Sequence, residues 1–344
     1  MQDPTLQCPV VRIESMAVRS HPYGGQSALD LSKSVCSPVR QGTCGACWAI
    51  SATQVLQDRI ARTHAAVPTL SFQDVMDCAC SCVTYEGRRG CADECAGGFM
   101  VAAYDYLQRI GAPPVRNAVA ERGKCTAGGE RYRCRGYYRV NLYNTFGIAN
   151  ARSGHVRLSP QNLQRNAANI AREITLHGPV SACFNMFSDF QTFWAHPRSA
   201  DMVYEVGWQL PAAHRAALNP VGSTDWTART GPGGIAFVTA HAVSIVGYGE
   251  QVVDGAVVRF WICRNSWGRP GNTYNSGFFK IRRGVNASAI ESDVCAPHVV
   301  ARDYGALVRS AAVFESVAPA GRTLAVIVVL VALLVVLTTA ATVV

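Results

Sequence analysis

Six of the chain's fourteen cysteines fall between Cys78 and Cys125. The stretch from Ser71 to Gly98 is dense in Cys and Gly, and it reads as loops pinned by disulfides around a short helix. Zinc is the competing use of such a cluster. Cys78-Ala79-Cys80-Ser81-Cys82 and Cys91-x3-Cys95 lack paired CxxC knuckles at a regular separation, and no His lies between Cys78 and Cys134. No metal site is therefore expected. The cysteine usage is that of a protein matured in an oxidising compartment.

Hydrophobic residues make up 49% of the 344 residues and charged residues 16%, so the chain has material for a substantial core and disorder is excluded. The net charge of +9 is spread thinly. Its densest points are pairs such as Arg88-Arg89 and Arg282-Arg283, without a basic helix face or interleaved aromatics, so nucleic acid is not an expected partner.

The two ends of the chain pull against the oxidising compartment. Residues 1–24 read as a short irregular leader with no basic segment followed by an apolar run, so no signal peptide is visible. From Thr323 to Val344 there is no charge, and at ~1.5 Å per helical residue this stretch matches a ~30 Å hydrocarbon core. The expectation is a single-pass, C-terminal transmembrane helix over 323–344, reached through a juxtamembrane stalk at 299–322, with the lipid bilayer as partner. Arg309 and Arg322 precede the span and nothing charged follows, which favours the cytosolic side, whereas the cysteine usage favours an oxidising one, and the sequence leaves the side open. A cleaved lipid-anchor signal is the alternative, with small residues in SVAPAG, but it needs the missing signal peptide. A chain carried by a large DNA virus, its disulfides made by a dedicated oxidase, would reconcile cytosolic exposure with cysteine density in a viral or host-cell membrane.

Between the ends, periodicity marks the elements. A helix is expected from Cys47, with Trp48, Ala52, Val55, Leu56 and Ile60 at helical spacing and Gln54, Gln57 and Asp58 elsewhere. Ser159-Pro160 opens another, with Leu163, Ile170 and Ile174 on one face and Gly178 at its end. β-like runs follow: VSACF, HAVSIVGYG, VVRFWICRN and GFFKIRR. Helices first and strands later predict an α+β protein with a helical half and a sheet half.

Chemistry concentrates around Cys47, which stands where its helix should begin and would gain thiolate stabilisation from the helix N-terminus. Gln41 offers an amide that can join the Cys47 backbone N–H at an oxyanion. His241 opens an apolar strand and Asn265 ends another, and core packing alone explains neither. A thiol, a base and a group to orient the base are the parts of a nucleophilic site.

These residues resemble the papain-like cysteine peptidases. The likeness runs through CGACW at Cys44–Trp48, CAGGF at Cys95–Phe99, HGPVSACF at His177–Phe184 and AHAVSIVGYG at Ala240–Gly249. It continues through NSWG at Asn265–Gly268 and SGFFKIRRG at Ser276–Gly284, and covers residues 25–298. LQDRI at Leu56–Ile60, Ser188-Asp189-Phe190 and AIESDV at Ala289–Val294 look like the cathepsin B branch.

The resemblance implies a two-lobe fold, with a helical left lobe, an antiparallel β-barrel-like right lobe and the active-site cleft between them. It also implies roles. Cys47 would be the nucleophile, His241 its base and later the acid for the leaving amine, and Asn265 the orienter of the imidazole. Gln41 would donate to the oxyanion, and Trp267 would shield the His–Asn bond. Gly97 and Gly98 would pair with the backbone of a polypeptide substrate. Phe99, Met100, Cys183 and Ala242 would line the S2 pocket with Asp293 at its base, which admits Arg as well as bulky apolar residues at P2. Cys44 would be disulfide-bonded to Cys95. No cofactor is implied, and the sequence sets no oligomeric state.

The chain departs from the family in three ways. The cathepsin B occluding loop carries a His pair that captures the substrate C-terminus, whereas residues 99–154 contain no His, so endopeptidase action is expected. No propeptide is recognisable before Gln41. Residues 191–235 form an insertion ahead of His241, read as a surface elaboration in preference to a border of the primed subsites. Cys183 and Cys263 sit in apolar strand contexts and read as buried thiols. Asn286-Ala287-Ser288 is a glycosylation sequon only if the chain enters the secretory lumen. Two other functions stand beside the thiol endopeptidase. One is a catalytically silent papain-fold binding or envelope protein, which normally lacks the Cys or the His. The other is an acyl transferase, in which an amine resolves the acyl-enzyme.

Overall fold

Helix α1, Cys47–Ala61, is the axis of the molecule, and its burial is unusual. Every residue from Trp48 to Ile60 is buried, including Thr53, Gln54, Gln57, Asp58 and Arg59. An amphipathic surface helix would turn its polar residues to water. Here each long one reaches a partner instead: Gln54 Nε2 donates to Ser37 O at 2.9 Å and Gln57 Oε1 accepts from Leu70 N at 3.0 Å. Asp58 accepts from Cys36 N and Arg264 Nη2, at 2.8 and 2.7 Å. Arg59 donates to the carbonyls of Pro179 and Pro297 and to Glu173 Oε1.

The computed structural model describes residues 28–63, 67–79, 82–85, 88–115, 129–140, 159–219, 234–268 and 276–299. The leader at 1–24, the stalk beyond residue 299 and the apolar stretch 323–344 lie outside the described residues. Among the described residues no helix is long and apolar enough to cross a membrane, and no group of His, Cys, Asp and Glu is arranged to hold a metal ion.

On one side of α1 stand α2 (Phe72–Cys78), α3 (Met100–Arg109) and a small sheet of β2 (Cys82–Tyr85), β3 (Arg88–Asp93) and β4 (Gly97–Gly98). The disulfides Cys44–Cys95 and Cys82–Cys91 pin this half. On the other side lies an eight-stranded sheet whose order is β5 (Gly136–Arg139), β11 (Asp293–His298), β6 (Val180–Phe187), β8 (Phe237–Val253), β9 (Ala256–Arg264), β10 (Phe278–Arg282) and β7 (Val203–Tyr204), with β1 (Leu29–Asp30) on β8. All its pairs are antiparallel except β10 with β7. The architecture is α+β, with a helical lobe and a sheet lobe.

Helix α4, Pro160–His177, covers the sheet with Leu163, Ile170 and Ile174, and Ser159 Oγ caps its start by accepting from Asn162 N. The sheet's core is aromatic: Phe184, Phe187, Phe190, Phe193, Tyr204, Trp261 and Phe279 are all fully buried. Where β6 ends, the chain enters α5 (Phe190–Ala195), and from there the 191–235 insertion begins. Asp189 gathers the described part of that insertion. Its carboxylate accepts from Tyr204 Oη at 2.9 Å and Gly207 N at 2.7 Å, and its carbonyl accepts from Trp208 Nε1. Tyr204 is on β7, which extends the main sheet, so this portion is built into the sheet lobe; residues 220–233 lie outside the described residues.

The sequon is part of the interior. Asn286 is 1% exposed, and its side chain bonds to Ser292 Oγ and Glu291 N, which leaves no room for a glycan.

Candidate active site

The two lobes meet along α1, and the chemistry-bearing residues lie at that seam. Ser51 Oγ of α1 donates to Val243 O of β8 at 2.8 Å, and Tyr104 Oη of α3 is 2.7 Å from Ser181 Oγ of β6. Cys47 is the first residue of α1, after Ala46, which makes no side-chain cap bond. The first turn also carries no acidic residue. The free N–H groups and positive end of the helix therefore face the sulfur without a competing carboxylate.

His241 lies on β8, opposite Phe184 of β6, and its ring is 4% exposed. Its Nε2 is 2.8 Å from Asn265 Oδ1, which also accepts from Ser266 N at 2.8 Å. The Trp267 ring lies over the imidazole at 5.2 Å, and the Phe184 ring meets it edge-on at 5.7 Å. Burial alone pushes the Cys47 thiol up, but the neighbouring His241 imidazole, as hydrogen-bonding group and as charge, and the N–H groups of Ala242 and Trp48 hold it below its ordinary value. Burial pulls His241 down, and the neighbouring Cys47 and the bond to Asn265 together raise it above the usual imidazole range. Each charged form stabilises the other.

Gln41 is locked by three contacts: its N–H donates to Ser266 O at 2.8 Å, its Nε2 to Cys44 O at 2.8 Å, and its Oε1 accepts from Ser266 Oγ. With one amide hydrogen spent on Cys44, the other remains free for a ligand. Ser266 drew no attention in the sequence reading, although it sits inside the NSWG motif. Only the fold shows that it joins Gln41 to the Asn265 loop.

The glycines beside this site have steric causes. A Cβ on Gly45 would come within 2.6 Å of Cys95 O, next to the Cys44–Cys95 disulfide. A Cβ on Gly98 would lie 2.6 Å from the Trp48 ring, and Gly97 has φ +124, a region that favours glycine. The result is bare backbone at 97–98 near the start of α1.

Register sets three of the S2 candidates in a row. Ala242 of β8 faces Cys183 of β6, which faces Asp293 of β11. Cys183 is half-buried, and burial, with Asp293 and Cys47 nearby, pushes its thiol far up; Cys263 is fully buried. Phe99 and Met100 come from the helical lobe, at the start of α3, with Phe99 52% exposed and Met100 buried.

On the Trp267 side lies a pocket of about 410 Å³ lined by Arg40, Gly42, Thr43, Gln191, Trp194 and Trp267. Gln191 and Trp194 stand on α5, at the start of the expected 191–235 stretch, so these residues border the site. The aromatic run after Asp189 was the one sequence sign of this.

Comparison with known proteins bears on the whole arrangement. The family model for papain family cysteine proteases matches residues 26–196 and 234–298. The unmatched 197–233 narrows the expected 191–235 insertion, and Gln191 and Trp194 belong to the matched family region. A gut-specific cysteine proteinase of Caenorhabditis elegans is 28% identical over 269 residues, covering 74% of this chain and 66% of its own length. Cathepsin B-like cysteine proteinase 3 of the same animal is 27% identical over 276 residues, covering 74% and 60%. The chain thus spans less than two thirds of the length of these relatives. A solved structure from work on the mite allergens Blo t 1 and Der p 1 matches with a TM-score of 0.51 at 21% identity, covering 85% of this chain and 75% of that one, which supports the two-lobe fold. Fold, motif order and family match agree: the chain belongs to the papain family of cysteine proteases.

Proposed function

We propose that the protein is a thiol endopeptidase of the cathepsin B-like branch that hydrolyses peptide bonds through Cys47, His241 and Asn265. The observation that carries this reading is the Cys47–His241–Asn265 chain at the N-terminus of α1, with the thiol pulled down and the imidazole pushed up.

In this mechanism the Cys47 thiolate attacks the scissile carbonyl carbon. The oxyanion accepts from Gln41 Nε2 and the Cys47 N–H. As the C–N bond breaks, His241 gives its proton to the departing amine and an acyl-enzyme remains. Water, deprotonated by His241, attacks the thioester, and Cys47 leaves as thiolate. Asn265 holds the imidazole plane through Nε2, and Trp267 keeps water off that bond. Gly97 and Gly98 offer backbone to an extended substrate. Phe99, Met100, Cys183, Ala242 and Asp293 form S2. The absence of a His pair in residues 99–154 favours cleavage within chains. Fast release of C-terminal dipeptides would argue otherwise. Residues 323–344 tether the enzyme to a membrane.

Labelling with an epoxysuccinyl thiol-protease inhibitor, followed by peptide mapping, tests the site. The expected result is one adduct at Cys47 that is lost when the protein is denatured first. Labelling elsewhere, or none in folded protein, overturns the reading and leaves a silent papain-fold binding protein.

A further inference from the structure

The pocket beside Trp267 carries a cation that this chemistry does not use. Arg40 forms an antiparallel bridge with Trp267, flanked by backbone bonds from Gly268 N to Val39 O and from Gln41 N to Ser266 O. Its stem runs along Gly268, where a Cβ would stand 3.1–3.6 Å from the Arg40 Cβ, Cγ and Cδ. Backbone and stem are thus fixed while the side chain remains exposed. Arg59, Arg131, Arg264 and Arg282 each pair with a carboxylate. Arg40 has no ion pair among the described residues.

The surroundings suit an anion with an organic stem. Trp194 and Trp267 meet edge-to-face at 5.9 Å and give apolar walls, while Thr43 and Gln191 add polar groups at the rim. None of the proposed S2 residues lines this pocket. Trp267 touches His241, the group that protonates the departing amine, so the pocket adjoins the part of the substrate that follows the scissile bond.

We propose that this pocket receives a carboxylate on the leaving-group side of the scissile bond and that Arg40 is the specificity-determining residue that selects it. The inference rests on the Cys47 peptidase reading. A guanidinium takes a carboxylate through two parallel N–H donors, and the indole walls flank the pairing. Two sources share this chemistry: the side chain of Asp or Glu just after the cut, and the C-terminus of a substrate cut near its end. A solvated Arg that merely covers Gly268 is the alternative.

The test uses the full-length chain and internally quenched peptides whose cleavage point is fixed by mass spectrometry. One series carries Glu or Gln at the first or second position after the cut, with an amidated end. The other carries Gln there, with a free or amidated end. The ratio of kcat/KM within each pair is read for the wild type, Arg40→Gln and Arg40→Glu, so that a general loss of activity divides out. The wild type should favour the carboxylate by roughly three- to tenfold in one series, an effect that shrinks with added salt. The ratio should fall to about one in Arg40→Gln and below one in Arg40→Glu. The series that responds identifies the source. Equal rates within both pairs in the wild type overturn the inference without need of a variant, as does a preference that survives Arg40→Gln. If no peptide is cleaved and no inhibitor adduct forms, the peptidase reading fails and this inference with it.

Discussion

Cys47 gives up its proton more readily than a free thiol, and His241 keeps its own more firmly than a free imidazole. A reaction that needs thiolate facing imidazolium is therefore fastest in an intermediate window. It gains as pH rises through the lowered Cys47 ionisation, below the ordinary 9.0, and declines as pH rises through the raised His241 ionisation, above the ordinary 6.5. The two limbs belong to the pair. Asn265→Ala deletes a bond that raises His241, so the alkaline limb of kcat/KM should move to lower pH. The accompanying loss should be roughly ten- to hundredfold, less than the full worth of a positioned acid–base group. An unmoved limb would mean that the 2.8 Å bond does not set the imidazole's proton affinity. Asp293 stands at the end of the Ala242–Cys183–Asp293 row, where a carboxylate can meet a basic P2 side chain. Asp293→Ala should lower kcat/KM for Arg relative to Phe at P2 by about tenfold, as for a partly shielded ion pair. An unchanged Arg/Phe ratio would remove Asp293 from the pocket.

The elements that carry these residues are tied by contacts that sequence periodicity does not encode. Asp58 of α1 and Arg264 at the end of β9 form an ion pair with 1% and 0% side-chain exposure, one residue before Asn265. Burial pushes the Asp58 carboxyl up, and the Arg264 charge opposes that push. Arg264→Met strands the carboxylate and should cost about 3–5 kcal/mol in urea unfolding. The sign with pH follows. A carboxyl whose folded pKa is raised is penalised once it ionises, so the deficit should shrink as pH falls through that pKa and grow as pH rises. A deficit independent of pH would show that lost packing, not the stranded charge, is responsible. Helix α4 was legible in the sequence because its face toward the sheet is apolar and its other face is wet, with Ser159 and Gly178 as end marks. The β6, β8, β9 and β10 runs were legible as apolar strands between turns. Helix α1 was legible in position but not in burial, since Arg59 finds its acceptors at Pro179 and Pro297. The insertion's fold depends on Asp189 reaching Tyr204, Gly207 and Trp208, and nothing in the spacing of those residues announces a hub.

At the scale of the molecule, the catalytic candidates come from opposite lobes, Cys47 from the helical one and His241 and Asn265 from the sheet. The proposed site residues all lie within residues 28–299, so the apolar 323–344 stretch is expected to govern where the proposed enzyme works and not how fast. Deleting that stretch should leave kcat/KM for a soluble peptide within about twofold of the full chain, because no site residue is touched. The full chain should stay with membranes through an alkaline carbonate wash, as an uncharged segment long enough for a ~30 Å core requires, and the truncated chain should be released. If that stretch spans a membrane as proposed, Arg309 and Arg322 before it predict, by the bias of basic residues, a domain on the cytosolic face. In sealed vesicles with that face outward, added protease should digest the domain. Cys44–Cys95 then has to be made and kept on a reducing side, which calls for an oxidant beyond the ordinary thiol pool. Protection of the domain in such vesicles would place it in an oxidising lumen, where the disulfides need no such help and the Arg309–Arg322 argument fails.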